Sequence, residues 1–192
     1  MLNLVDYYHF DEKGKNLELG NQYARHLPKK LSETEFVFIL NQGQADDILY
    51  KNVTKVYITA SPFNFMEHYQ VYNVLRKHAK VDVYHATQFN LPLWIAKETI
   101  VVTNIYDLLE EADEYRTVFH KIYYHYFIRY CLRRSDAIVA QSKYTCLSLK
   151  KYHNYNNAVP IYPGFEAVDM IGDVDSTEAK TYYNLPEKYI FI

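Results

Sequence analysis

The sequence predicts a three-layer, doubly wound α/β fold around a mostly parallel sheet, and three observations carry that expectation. Short β-rich runs are apolar almost without interruption, as strands covered on both faces are. Segments long enough for crossover helices lie between them, which is the rhythm of βαβ units. The chain has 192 residues, 49% of them hydrophobic, enough to bury one substantial core at a length of roughly one domain and a fraction.

The elements follow in order. "NLVDYY" at 3–8 reads as the first strand, and "LGNQYARHLPKKL" as a helical pattern that Pro28 must bend or end. "EFVFIL" at 35–40 and "KVYITA" at 55–60 are the second and third strands; "NFMEHYQVYNVLRKHA" is the next helix. "DVYHA" at 82–86 and "TIVVTN" at 99–104 are the fourth and fifth strands. In the longest helical segment, "EADEYRTVFHKIYYHYFIRYCLRR", Phe119, Ile122, Tyr123, Tyr126, Phe127 and Tyr130 recur at helical spacing, while His120, Lys121, Arg129 and Arg133 fill the rest. That helix is expected to pack on the sheet by its aromatic side. "AIVAQS" at 137–142, the helix "KYTCLSLKKYH" and "VPIYPG" at 159–164 complete the series. Beyond them an acidic loop, a capped short helix and the run "YIFI" after Pro186 change the character of the chain. The expected division is one Rossmann-like domain over residues 1–172, then a linker and the beginning of a second, absent domain over 173–192.

Composition removes several function classes. Lys and Arg number 21 against 23 Asp and Glu, a formal net charge of -2, so there is no basic footprint and nucleic acid is not an expected partner. Cys131 and Cys146 lack CxxC spacing, and the eight histidines show neither HxxxH nor HExxH, so no metal or cofactor is expected. No apolar run approaches the ~20 residues that span a bilayer, and the first residues do not read as a signal peptide, so a cytoplasmic setting is expected. With five glycines and neither GxGxxG nor a Walker motif, the chain has no phosphate cradle of its own; a GxSxG elbow is absent too.

Open parallel sheets bind ligands beyond the carboxyl ends of their strands, where strand order reverses. That rule selects Asp6, Tyr7 and Tyr8; Ser61 and Asn64; His85, Thr87 and Gln88; Asn104, Tyr106 and Asp107; and Gln141, Ser142 and Lys143. Each has a structural reading beside the functional one. Asp6 ends a strand, Asp107 suits a turn or helix cap, Ser142 is placed to cap the helix that begins near Lys143, and Gly20 is an N-cap as readily as a close backbone approach. His85 is either hydrogen-bonded scaffolding or a group that meets a sugar hydroxyl and titrates near neutrality.

The order of "LGNQYARHLPKKL", "DVYHATQFNLPLW", "IVVTNIYDLLEE", "IRYCLRRSDAIVAQSKYTCLSLKKY" and "VPIYPGFEAV" resembles the amino-terminal half of family-four retaining glycosyltransferases, which have the GT-B fold. The resemblance runs from about Gly20 to the end, and "RRSDAIVAQS" before a proline-glycine strand exit is its most specific part. It implies the acceptor-binding half of an enzyme that moves a hexose from a nucleotide-sugar donor to a glycan or lipid-linked acceptor, without an obligatory metal. The donor would be held by the absent domain, so this chain alone is expected to be inactive. It also implies the site: Gly20 and Asn21 by backbone approach, His85, Thr87, Gln88 and Ser142 in substrate binding, and Tyr106 and Asp107 near the reacting centre. Two departures stand out. A bulky "DYYHFDEKGKNLELGN" replaces a glycine-rich loop, and Tyr106 stands where the family often has the His of an "HD" pair. A phenol hydrogen-bonds but does not exchange protons near neutrality as imidazole does. The rival reading is a non-catalytic binding or scaffold subunit that completes its cleft with a separate donor-binding polypeptide. A third uses "FHKIYYHYFIRYCLRR" as a peripheral membrane contact, at the inner face of the membrane.

Overall fold

The computed structural model describes residues 1–6, 26–42, 50–60, 64–78, 80–108 and 118–162. Seven strands occur among them: β1 (Leu2–Asp6), β2 (Glu35–Asn41), β3 (Val53–Ile58), β4 (Val83–Ala86), β5 (Ile100–Ile105), β6 (Ala137–Ala140) and β7 (Val159–Pro160). They form one sheet in the order β3-β2-β1-β4-β5-β6-β7, with every adjacent pair parallel. Three helices accompany them, α1 (Phe65–Lys77), α2 (Val118–Arg134) and α3 (Lys143–His153), with a shorter helical stretch at 26–30. The chain steps outward from β1 to β3, crosses back through α1 to β4 on the other side of β1, and then continues outward to β7. Strand order therefore reverses between β1 and β4. This is the expected doubly wound α/β architecture.

Both faces of the sheet are covered at its centre. In β2, Val37 and Ile39 join the larger core with Leu4, Tyr84, Ala86, Val101, Ile105 and Ile138, packed beneath Val71, Val74, Phe127, Ile128 and Leu149 of the three helices. Phe36, Phe38 and Leu40 point to the opposite face, where they join Val5 and receive Leu27 and Tyr106. Alternate residues of one apolar run thus feed two cores, as the uninterrupted hydrophobicity of "EFVFIL" requires.

Local chemistry sets the helix ends. Asn64 Oδ1 accepts the Met66 N–H at 3.0 Å and starts α1, with Glu67 in the first turn and Arg76 and Lys77 in the last, as the helix dipole favours. α3 ends at Asn154 in the left-handed region, φ 54°, one of the few residue types apart from glycine that accepts it readily. Pro28 lies within the helical stretch at 26–30, which stops two residues later. The Asn52 amide donates to the carbonyls of Pro28 and Thr34 at 3.2 and 2.9 Å, tying that helix end to the start of β3.

The amino edge of the sheet explains "RRSDAIVAQS". Asp136 Oδ2 accepts the second amide of the neighbouring β5, Val101 N–H, at 2.8 Å, and Asp82 Oδ2 accepts the first amide of β1, Leu2 N–H, at 2.8 Å. Arg134 donates to the carbonyls of Ala96 and Thr99 at 2.8 and 3.1 Å, and Ser135 Oγ meets Thr103 Oγ1 at 2.7 Å. Three residues of the most specific motif are therefore register pins, at the end of the sheet away from the crevice.

α2 corrects one expectation. Its buried side is Tyr124, Phe127, Ile128 and Cys131, whereas Ile122 and Tyr126 are 62% and 60% exposed. Aromatic residues surround this helix, so the aromatic pattern alone did not identify the side that meets the sheet.

Candidate functional site

The carboxyl edge beside the β1/β4 reversal is built by three adjacent strand ends. β4 leads into Thr87 and Gln88, β5 into Tyr106 and Asp107, and β6 into Gln141 and Ser142. Strands in a sheet lie ~4.8 Å apart, so three ends span about 10 Å, enough for one or two sugar rings. The structure thus brings together six residues that lie far apart in sequence. His85 stands just inside the edge, in β4, paired in register with Val5 and Val102.

His85 is half-buried, and its Nε2 lies 3.4 Å from Asn104 Oδ1 on the neighbouring strand. Burial lowers its pKa below the ordinary 6.5, and the Asn104 hydrogen bond acts in the opposite direction. The ring is therefore neutral at pH 7, with one nitrogen able to donate and the other to accept. Asn104 is fully buried and, among the described residues, its Nδ2 has no hydrogen-bond partner; both side-chain polar atoms of Gln141, 8% exposed, likewise have none there. Buried polar groups without partners are uncommon and costly, and where they cluster at a strand-end crevice they suit hydroxyl-bearing ligands.

The remaining residues divide by environment. Thr87 is buried, Gln88 and Tyr106 are half-buried, and Asp107 is exposed. Tyr106 packs against the smaller core, and its carbonyl accepts Thr145 Oγ1 at 2.9 Å, which fixes the end of β5 to the start of α3. Ser142 caps α3: its Oγ accepts Thr145 N–H at 3.0 Å and lies 2.9 Å from Thr145 Oγ1. Asn64 is likewise engaged as a cap. Gly20 and Asn21, like Tyr7, Tyr8, Ser61 and the boundary and linker at 173–192, lie outside the described residues.

A second network, which sequence reasoning missed, holds the β4–β5 connection in place. The Asn90 amide donates to Glu67 Oε1 at 2.7 Å and accepts the Tyr123 hydroxyl at 2.9 Å, with Glu67 and Asn90 both at most 1% exposed. Burial first, then the Glu67 carboxylate, holds the Tyr123 phenol above its usual pKa, against the Asn90 hydrogen bond. The Tyr130 hydroxyl donates to the carbonyls of Pro92 and Leu93 at 3.2 and 3.1 Å. α1 and α2 thereby fasten the loop that carries Thr87 and Gln88. The only sequence signal was an acidic residue in the first turn of a helix, which reads more simply as a dipole complement.

No protein-family model and no curated protein matches the sequence. Solved structures do. HepE from Anabaena, crystallised with UDP and glucose, superposes with a TM-score of 0.58 at 14% identity over 96% of this chain and 50% of its own. The H444N variant of the wall teichoic acid polymerase TagF gives 0.58 at 12% identity, covering 97% of this chain and 44% of its own. A transferase from Siraitia grosvenorii in complex with UDP gives 0.53 at 9%, covering 95% and 55%. The chain spans about half the length of each of these proteins. At such identities the likeness is one of architecture: the protein has the Rossmann-like α/β fold found in GT-B glycosyltransferases.

Proposed function

We propose that this chain is the acceptor-side domain of a family-four type retaining glycosyltransferase that moves a hexose from a nucleotide sugar to a glycan or lipid-linked acceptor in the cytoplasm. One observation carries the reading. Half-buried His85 and buried Asn104 and Gln141 stand on adjacent strand ends beside the strand-order reversal and offer both donors and acceptors, yet no glycine-rich cradle for phosphate accompanies them in the sequence. Such a surface suits sugar hydroxyls better than a nucleotide diphosphate. Neighbouring architectures bound to UDP support the reaction class, and the coverage of about half of each supports a partner domain.

The roles follow from chemistry. Neutral His85 orients an acceptor hydroxyl, and Thr87 and Gln88 hydrogen-bond the ring beside it. Asp107, exposed at the end of β5, accepts a proton, and Tyr106 holds a hydroxyl without exchanging it near neutral pH. Ser142 serves the pocket by fixing the first turn of α3. The leaving diphosphate is stabilised from the facing domain, so catalysis needs both walls.

The test is turnover of the full-length polypeptide with its nucleotide sugar. Asp107→Asn and His85→Ala are expected to lower kcat/KM by about tenfold to a thousandfold, a range set by one lost proton-transfer or orienting group. Unchanged turnover in both variants removes these residues from the site. A full-length wild type that binds glycans without transfer supports instead the scaffold subunit.

A further inference from the structure

α2 and α3 carry four and three Lys or Arg residues respectively and no Asp or Glu, in a chain whose formal net charge is -2. Both helices bury their other side in the same core; Arg134 is held at the amino edge of the sheet, and the other cations, Lys121, Arg129 and Arg133 of α2 and the three lysines of α3, are exposed away from it. On α2, Lys121, Ile122, Tyr126, Arg129 and Arg133 fall within an arc of roughly 140° at 3.6 residues per turn. Ile122 and Tyr126 are 62% and 60% exposed there, and on α3 Tyr144 and Leu147 are 73% and 65% exposed. An open groove of about 810 Å³ runs along this arc, with Tyr152 of α3 on its far side and no acidic residue in its lining. Among the described residues no carboxylate pairs with Lys121, Arg129 or Arg133.

We infer that the outer faces of α2 and α3 dock on a bilayer surface that carries anionic lipid headgroups. Charge selects the sign of the partner, and the apolar side chains select its kind. A soluble polyanion rewards the cations but gains little from exposed isoleucine and leucine; a bilayer interface rewards both, with cations at the headgroups and apolar side chains at the acyl boundary. Tyrosine suits that depth because its ring is apolar and its hydroxyl stays wet. No described helix is long and apolar enough to cross a membrane, so the contact is peripheral. The inference stands independently of the sugar-transfer reading.

Co-sedimentation of the full chain with vesicles tests it. Phosphatidylcholine vesicles containing phosphatidylglycerol are expected to bind the chain at low salt, weakly at high salt, and pure phosphatidylcholine vesicles to leave it in solution. Each cation is worth roughly fivefold, so Lys121→Gln, Arg129→Gln and Arg133→Gln together lower the partition constant about a hundredfold. Ile122→Asn with Tyr126→Asn also weakens vesicle binding, and these exposed positions leave the circular dichroism spectrum unchanged. Equal binding to neutral and anionic vesicles overturns the inference, as does the absence of binding to either. So does tight binding of duplex DNA or polyphosphate together with indifference of vesicle binding to the Ile122 and Tyr126 changes, which reassigns the surface to a soluble polyanion.

Discussion

His85 shows how one residue couples stability to the site. Burial depresses its pKa below 6.5, so in the window below that value the unfolded chain binds more protons than the folded one. Its contribution is therefore fully present above pH 6.5 and is lost as pH falls through the folded value. His85→Gln keeps a neutral hydrogen-bonding side chain and should flatten this part of the stability-versus-pH curve, read from denaturant midpoints between pH 7.5 and 5 (~1.4 kcal/mol for each unit of depression). An unchanged slope contradicts the burial account. Placement at this scale was legible: His85, Thr87, Gln88, Tyr106, Asp107 and Ser142 lie in or just beyond strand ends, and Ser142 does the capping that its position before a helix suggested. Glu67 and Asn90 were not legible, because their hydrogen bond joins residues 23 apart through a tertiary contact that no local pattern encodes.

Among the elements, the β4–β5 connection matters most, since it lacks a helix yet carries two candidate site residues. Asn90 ties it to α1 through Glu67 and to α2 through Tyr123. Asn90→Ala leaves a buried carboxylate without that donor and a half-buried phenol without its acceptor, and should cost about 2–3 kcal/mol. Chemical denaturation checks this, and a loss below about 0.5 kcal/mol contradicts the fastening role. Strands and the bounds of α3 were readable because apolar runs between polar turns leave little choice. The packing side of α2 was not. Ile122 and Tyr126 are as hydrophobic as Tyr124 and Phe127, and only contact with the sheet distinguishes them.

At the scale of the whole molecule, parallel pairing and the return of the chain from β3 to β4 create a single strand-order reversal, and the polar strand ends gather beside it. The central claim is that this edge is the sugar-hydroxyl wall of a transfer cleft whose diphosphate-holding wall lies in another domain. The parallel sheet was legible from seven apolar runs; the unpaired Asn104 Nδ2 and Gln141 amide at its edge were not, because partner counts exist only in three dimensions. The most direct measurement is a pair of NMR titrations of this isotope-labelled chain, one with glucose and one with UDP. The account predicts that glucose, binding weakly, moves the His85 ring and Gln141 side-chain amide signals first, while UDP leaves them in place. Micromolar binding of UDP to this chain alone, or glucose shifts confined to other faces of the molecule, would contradict it.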